Sequence, residues 1–323
     1  MTSNGSAIEA TGLTRTFKGE VEAVRGIDLE VAAGEIFGFL GPNGAGKTTT
    51  VRMLCTLLPP TAGGARVAGV DVVADGAEVR RRIGVALQEI GLDPIQTGRE
   101  LLELQCGLYG ITGADARARA EELLDLLGLT DAADRRTKTY SGGMKRRLDL
   151  ASALVHSPEV LFLDEPTTGL DPASRITVWD EVRRINAGGT TVFLTTQYME
   201  EADKLCRRLA IIDNGRIVAE GSPEALKGEM GHDVVSVALD GADPEATRRA
   251  IADLPGLERV VPEPDALALY VLDGPSSIAE TVRRLDAQGI SVGAISVSRP
   301  SLDDVFLQAT GRRLEGDEEA EAE

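Results

Sequence analysis

Short apolar runs divide the first two thirds of the chain. Residues 36–40 and 160–163 are uninterrupted apolar runs of strand length, and residues 190–196 are rich in β-branched side chains. Runs without a polar face are typical of strands that are buried on both sides. Two further runs flank Asn214-Gly215, a dipeptide that favours the tight turn of a β-hairpin. The pattern predicts several buried strands and one hairpin.

Helical periodicity fills the segments between these runs. The helix predicted after Lys47 carries apolar side chains up to Leu58 and should end at Pro59-Pro60. A second predicted helix ends at Gly188-Gly189, and its apolar residues recur at every third position: Ile176, Trp179, Val182 and Ile185. Buried strands that are joined by helices predict an α/β core with a mainly parallel sheet.

Helical signals alone dominate residues 88–141. Thr97 and Glu100 have the spacing of a capping box, in which the two side chains satisfy backbone N–H groups at the start of a helix. Residues 114–127 form a second amphipathic pattern. We therefore expect a helical subdomain at about residues 90–150, inserted into a domain of residues 1–225.

The chain changes character from about residue 226. Residues 234–239, 267–272 and 290–297 have the composition of strands, and residues 244–254 and 276–288 have the periodicity of helices. They predict a small α+β domain at residues 226–311. The acidic run at residues 312–323 predicts a disordered tail, because like charges cannot form a core.

Charge and composition narrow the class of protein. The 323 residues include 52 acidic and 34 basic side chains, for a net charge of −18. An acidic surface repels phosphates at long range, so no nucleic-acid partner is expected. The N-terminal residues lack the basic and apolar regions of a signal peptide. No apolar stretch reaches the roughly 20 residues that span a bilayer, so a membrane function is expected to need another chain.

A glycine-rich segment carries the most specific chemical signal. Residues 41–48 read Gly-Pro-Asn-Gly-Ala-Gly-Lys-Thr and match G-x-x-x-x-G-K-[ST] between a predicted strand and a predicted helix. The glycines let backbone N–H groups turn toward phosphate oxygens, and the helix adds its dipole. Lys47 should contact the β- and γ-phosphates of ATP, and the Thr48 hydroxyl should ligate Mg²⁺. The candidate nucleotide-binding residues are Gly41, Pro42, Asn43, Gly44, Ala45, Gly46, Lys47, Thr48 and Thr49.

Two carboxylates follow the apolar run at residues 160–163. Asp164 should lie at the carboxyl end of a buried strand beside the phosphate-binding loop, where it can hold Mg²⁺ through water. Glu165 is the candidate general base, because a carboxylate there can polarise an attacking water. Ser141-Gly142-Gly143 opens another predicted helix and so offers a second anion-binding N-terminus.

In this order, the three motifs resemble the ATP-binding cassette family, the nucleotide-binding subunits of ABC transporters, over about residues 8–223. The resemblance implies a P-loop NTPase core with a mainly parallel sheet, an antiparallel β subdomain and a helical insert. It also implies that Ser141, Gly142 and Gly143 bind the γ-phosphate of ATP held by a second subunit. Two chains, most simply two copies of this one, would close head to tail around two ATP molecules. Tyr140 and Met144 depart from the family's usual Leu and Gln.

The resemblance assigns roles to three more residues. Gln88 matches a glutamine that touches Mg²⁺ and water and senses the transmembrane partner. Phe17 lies where the family places an aromatic ring that stacks on adenine. Asp171, in Gly169-Leu170-Asp171, matches a loop that lies across the dimer interface.

Gln197 departs from the family pattern, which usually has a histidine that contacts the γ-phosphate after this strand. A glutamine can donate a hydrogen bond to phosphate but cannot become cationic. We therefore hypothesise that hydrolysis proceeds with Glu165 as the base and Gln197 as a neutral γ-phosphate sensor.

Residues 141–151 and 195–203 are similar to the daunorubicin/doxorubicin-resistance type of exporter ATPase, and residues 301–307 to the small domain that follows its cassette. This type implies export of a drug-like or lipid-like amphiphile through a separate membrane permease, with the chain bound at the cytoplasmic face. The C-terminal domain would support dimerisation or regulation. The alternatives are a soluble cassette ATPase without a transport role and an ATP-dependent scaffold that does not hydrolyse ATP.

Overall fold

The computed structural model describes residues 5–229, 233–239 and 241–311. These residues form two compact units, which divide between Pro223 and Glu224. The acidic tail predicted at residues 312–323 lies outside the described residues. No helix in the described ranges is long and apolar enough to cross a bilayer.

The first unit contains two sheets and the helices that connect their strands. Its strands are β1 (Ser6–Phe17), β2 (Val21–Ala32), β3 (Ile36–Leu40), β4 (Ala62–Val67), β5 (Val70–Asp71), β6 (Ile83–Ala86), β7 (Val160–Asp164), β8 (Thr191–Thr196), β9 (Arg208–Asp213) and β10 (Arg216–Gly221). Its helices are α1 (Lys47–Leu54), α2 (Gly76–Arg82), α3 (Gly98–Leu108), α4 (Gly113–Leu126), α5 (Gly142–Leu154), α6 (Pro172–Ala187) and α7 (Met199–Leu205). A short helix, α8 (Pro223–Glu229), begins at the division between the units.

The larger sheet has the order β10-β9-β3-β8-β7-β6. Its strands are parallel except for β10, which forms a hairpin with β9 through Asn214 and Gly215, both at positive φ. Every residue of β3, β7 and β8 is buried, as expected for central strands that helices cover on both faces. The predicted mainly parallel sheet is therefore confirmed, and its three central strands end at one edge.

The second sheet of this unit is antiparallel, in the order β2-β1-β4-β5. Its apolar side chains share one core with Phe39, Phe162 and Phe193 of the larger sheet. The helical segment α3–α5 follows β6, and Thr97 and Glu100 form the predicted capping box at the start of α3.

Two helix predictions are corrected in detail. Helix α1 ends at Leu54, four residues before the predicted Leu58, because Thr56 adopts a φ of 63° and a turn follows. In α6 the predicted apolar face is displaced: Ile176 is 54% exposed, whereas Val178 is buried and replaces it in the packed stripe.

The second unit comprises β11 (Asp233–Ala238), α9 (Pro244–Ile251), β12 (Leu257–Pro262), β13 (Ala266–Val271), α10 (Gly274–Ala287), β14 (Ile295–Ser298) and α11 (Leu302–Thr310). Its antiparallel sheet has the order β12-β13-β11-β14. A β-α-β-β-α-β chain with this order is a ferredoxin-like arrangement. One face packs against α9 and α10 through a core that includes Val235, Ile251, Leu269 and Leu285.

Three features of this unit differ from the sequence patterns. The strand predicted at 290–297 begins only at Ile295, because the backbone N–H of Ile290 turns back to the carbonyl of Leu285 at the end of α10. Strand β12 and helix α11 were not predicted. No residue of β12 is fully buried, so its apolar pattern is weak.

Phe193→Ala is expected to lower the free energy of unfolding by about 3–5 kcal/mol. Phe193 is fully buried, and its ring lies 5.6–5.8 Å from those of Phe37, Phe39 and Phe162. Chemical denaturation measures the change. The control Leu108→Ala, at a side chain that is 72% exposed, should change the free energy by well under 1 kcal/mol. Equal effects of the two substitutions would contradict the described core.

Candidate functional site

The phosphate loop, residues 41–48, connects the end of β3 to the start of α1. Gly46 is the N-cap of α1 with a φ of 109°, and the helix start has no side-chain cap. Its first N–H groups therefore remain available to an anion. An added Cβ would collide with the carbonyl oxygen of Ala23 at Gly46 and with that of Ile212 at Gly41. The loop thus has its shape because only glycine fits at these two positions.

Lys47 extends back across the loop. Its Nζ donates to the carbonyl oxygens of Gly41 (2.6 Å) and Pro42 (3.1 Å) and lies 3.2 Å from Glu165 Oε1. The side chain is only 4% exposed. Burial lowers the pKa of the Lys47 ammonium, and the charges of Glu165 and Asp164 oppose this shift. A buried ammonium beside a loop of free N–H groups is suited to phosphate oxygens.

The two carboxylate oxygens of Asp164 differ in their hydrogen bonding. Oδ1 accepts from the hydroxyls of Thr48 (3.2 Å) and Thr195 (2.6 Å). Oδ2 is buried and has no hydrogen-bond partner within the part of the chain that the structure describes. A buried carboxylate oxygen left in this way fits a cation or its bound water, because oxygen ligands suit Mg²⁺. The residues present therefore fit the ion that the sequence predicts.

Glu165 has a strained backbone. Its φ is 50°, a region that non-glycine residues rarely adopt, and its N–H donates to both oxygens of Thr195 at 3.1 Å. Its Oε2 accepts from Gln88 Nε2 (3.2 Å) and from the Thr168 hydroxyl (3.3 Å). Gln88 itself lies two residues after the end of β6, on an exposed turn. The structure thus brings the candidate base, the loop lysine and Gln88 together.

Four predicted site residues lie outside the cluster of Lys47, Gln88 and Glu165. Ser141, Asp171 and Gln197 form no hydrogen bond or ion pair with the phosphate loop in the described residues, and neither does the ring of Phe17. Ser141 caps α5 by accepting from the N–H of Met144 at 3.2 Å. Asp171 caps α6, and its hydrogen bonds with Ser174 lower the pKa of its carboxyl group.

Phe17, at the end of β1, is 39% exposed, and the guanidinium carbon of Arg15 lies 4.8 Å from its ring centroid. Gln197 directly follows β8 and is partly buried. Its neighbour Thr196 is fully buried and accepts from the N–H of Tyr198 at 2.9 Å, which fixes the turn that presents Gln197.

Two residues that the sequence patterns did not single out, Thr195 and Arg146, contribute to the site, and a third, Glu201, is bonded to Thr167, two residues after Glu165. The Thr195 hydroxyl donates to Asp164 and accepts from the N–H of Glu165; a signal existed, since Thr195 is one residue before the end of a strand that pairs with β7. Glu201 is fully buried and accepts from Thr167 (2.9 Å) and Trp179 (3.0 Å), and burial raises its pKa. Arg146 is buried in α5 and reaches the backbone on either side of Glu165.

Comparison with known proteins places these observations in context. Residues 24–168 match the ABC transporter family, and residues 221–310 match the C-terminal domain of DrrA1-3-like ATP-binding proteins. The daunorubicin resistance ATP-binding protein DrrA2 of Streptomyces coeruleorubidus is 47% identical, over 99% of both chains. A Nod factor export ATP-binding protein I, from Paraburkholderia xenovorans, is 43% identical over 96% of this chain and 99% of its own.

Solved structures of ATP-binding cassettes match about two thirds of the chain. A dimeric, post-hydrolysis ATP-binding cassette bound to ADP and Pi is 26% identical, with a TM-score of 0.61, and the match covers 67% of this chain and 98% of that one. The ATP-binding subunit of an ABC transporter matches with a TM-score of 0.62 at 25% identity, over 70% of this chain and 93% of the other.

Gly46→Ala is expected to weaken Mg-ATP binding by at least roughly tenfold, because the new Cβ must displace the loop and its N–H groups. Isothermal titration calorimetry on the full chain measures the affinity. Gly189→Ala is the matched control, since Gly189 also has a positive φ (99°) but an added Cβ there meets open space. Unchanged binding by Gly46→Ala would contradict the assignment of the loop.

Proposed function

Because the chain belongs to the ATP-binding subunits of ABC transporters, we propose that it hydrolyses ATP to power export of a drug-like or lipid-like amphiphile through a separate membrane permease. The observation that carries the ATPase proposal is the contact of Glu165 with both Lys47 (3.2 Å) and Gln88 (3.2 Å) beside the phosphate loop. The names of the relatives, which refer to daunorubicin resistance and Nod factor export, support the exporter class.

Binding in this proposal uses the free N–H groups at the start of α1 and the ammonium of Lys47. ATP phosphates compete with Glu165 for Lys47, because both are anions and the ammonium is buried. Glu165 then gives up an ion pair and becomes free to accept a proton from water. The partly exposed ring of Phe17 is proposed to stack on adenine, with Arg15 over one of its faces.

Mg²⁺, when bound, supplies charge that neutralises the phosphates during transfer. Thr48 and the unpartnered Oδ2 of Asp164 would hold it. Glu165 is the proposed general base and Gln88 orients it through their hydrogen bond. Gln197 is proposed to donate its amide to the γ-phosphate, as a neutral sensor.

Dimerisation is proposed to complete the site. The N-terminus of α5 has Ser141 as its cap and Gly142 exposed, so the start of the helix can meet an anion from outside the chain. In a head-to-tail dimer, that anion is the γ-phosphate of the ATP that the second subunit holds. Asp171 belongs to a loop at the proposed dimer interface. The similar ATP-binding cassette that was solved as a dimer supports dimerisation. The ferredoxin-like unit is proposed to assist dimerisation or regulation.

A groove in the first unit is proposed to receive the permease at the cytoplasmic face of the membrane. A cavity of about 370 Å³ lies beside Leu87, the residue before Gln88, and is lined by α3, α5 and β6. Leu104, Leu108 and Tyr109 of this region are exposed apolar side chains. A concave surface of mixed polarity next to Gln88, with exposed apolar side chains on the adjoining helix, suits a helix of a partner chain.

Glu165→Gln should reduce steady-state phosphate release by roughly 10²–10⁴-fold, because the amide cannot accept the proton. The same variant should convert from monomer to dimer on addition of Mg-ATP, measured by light scattering. The double variant Glu165→Gln with Gly46→Ala is the control and should remain monomeric, since it lacks the binding loop. Turnover of Glu165→Gln at the wild-type rate would refute the proposed base.

Gln197→Ala and Gln197→Glu should each lower turnover at least roughly tenfold, because both remove the amide that donates to phosphate. Affinity for Mg-ATP should change less in the alanine variant, since the phosphate loop remains. Phosphate release at saturating Mg-ATP measures the effect. A Gln197→Ala variant with wild-type turnover would remove Gln197 from the mechanism.

A further inference from the structure

Arg146 lies on α5, five residues after its cap Ser141, and its side chain is only 3% exposed. The guanidinium donates to three backbone carbonyls: Nε to Pro166 (3.0 Å), Nη2 to Asp164 (3.2 Å) and Nη1 to Leu87 (2.6 Å). Nη1 also donates to Asp149 Oδ2 at 3.2 Å on the same helix. Four hydrogen bonds therefore tie one side chain to three segments of the chain.

These carbonyls belong to sequence neighbours of Glu165 and Gln88, whose side chains contact each other in the site. Asp164 and Pro166 flank Glu165, and Leu87 precedes Gln88. Glu165 has a φ of 50°, which costs of order 1–3 kcal/mol for a non-glycine residue and persists only where the surroundings hold it. The Asp164 carbonyl lies in the peptide plane that precedes Glu165, and the Pro166 carbonyl lies in the plane that follows Pro166. The two hydrogen bonds therefore hold the backbone just before and just after Glu165.

The shape of the guanidinium is essential to this arrangement. An arginine has five N–H donors in a planar fork and can reach acceptors in several directions, whereas the lysine ammonium is a compact point charge. A buried cation costs free energy unless its donors are satisfied. Burial lowers the pKa of the Arg146 guanidinium, but arginine remains charged in proteins. Arg146 therefore contributes both its positive charge and the geometry of its guanidinium group to these contacts.

We propose that Arg146 is a positioning residue for ATP hydrolysis, which links the helix that begins at Ser141 to the backbone of Glu165 and Gln88. It holds the carboxylate of Glu165 in the orientation in which it accepts a proton, without touching the nucleotide. This inference rests on the proposed function, in which Glu165 is the general base and the start of α5 meets the ATP of a second subunit.

The test compares Arg146→Lys with a matched substitution at Arg119 of α4, whose side chain binds the other end of α5. Arg119 also donates to two carbonyls, those of Leu154 (2.6 Å) and Val155 (3.1 Å), and to one carboxylate, that of Glu122 (2.8 Å). It contacts none of the site residues among its hydrogen bonds. Arg119→Lys therefore controls for the loss of a guanidinium that binds backbone carbonyls.

In the full chain, Arg146→Lys should lower kcat for ATP by about 10²-fold with KM within about twofold, as expected when a catalytic group is misplaced by about 1 Å. Arg119→Lys should leave both constants near wild type. Introduced into the Glu165→Gln background, Arg146→Lys should still permit the Mg-ATP-driven dimer, because it acts on the base and not on binding. Arg146→Gln serves as a second variant, and thermal unfolding establishes that each variant is folded.

The outcomes separate this inference from the function on which it rests. If Glu165→Gln is inactive but Arg146→Lys has the wild-type kcat, Arg146 has no positioning role. If Arg119→Lys loses kcat as strongly, or if the dimer is lost with Arg146→Lys, the role of Arg146 is structural and the inference fails. If Glu165→Gln retains full turnover, the proposed function itself is wrong.

Discussion

The site depends on the register of three parallel strands. Leu40 of β3 pairs with Thr196 of β8, and Asp164 of β7 pairs with Thr195. A strand that is buried on both faces cannot slip by one residue without moving every side chain to the opposite face. The phosphate loop, the two carboxylates and Gln197 therefore meet at one edge because the core packs in one way. The rings that pack around Phe193 stabilise this register from within the sheet.

Charges at that edge are kept inside the protein at a cost. The side chains of Lys47 and Glu165 are 4% and 6% exposed, and each is the counter-ion of the other. Removing one partner of such a pair costs about 3–5 kcal/mol, because the other charge stays buried. The buried charges and the strained φ of Glu165 both lower the stability of the fold at the proposed active site. The buried aromatic and aliphatic core below them supplies the stability that offsets it.

Features that lie within one segment could be predicted from the sequence, and features that depend on a distant partner could not. The glycines of the phosphate loop, the capping box at Thr97 and the hairpin at Asn214 are local patterns. Arg146 occupies the stripe of α5 that also carries Leu150 and Leu154, which was a signal for burial. Its backbone acceptors, however, lie just after β6 and at or just after the end of β7, and no local pattern reveals them.

The sequence patterns of β12 and α6 also misled, because the burial of their residues depends on distant neighbours. Strand β12 has no fully buried residue, so its sequence carries little alternation, although β13 pairs with it along its length. The face of α6 is shifted because its neighbours bury Val178 and leave Ile176 in solvent. The assignments of Phe17, Asp171 and Ser141 rest on family resemblance. Their partners in such a scheme belong to a nucleotide or a second subunit, so their roles stay predictions.

Glutamine at position 197 has a consequence for proton balance. A histidine titrates near pH 6.5, so a histidine sensor must take up or release a proton, or select a tautomer, as phosphate charge appears and leaves. An amide has one protonation state over the whole physiological range, and its N–H₂ group is always a donor. In the role proposed for Gln197, the catalytic cycle therefore moves no proton at this position, and acidification of the surroundings leaves the side chain itself unaltered.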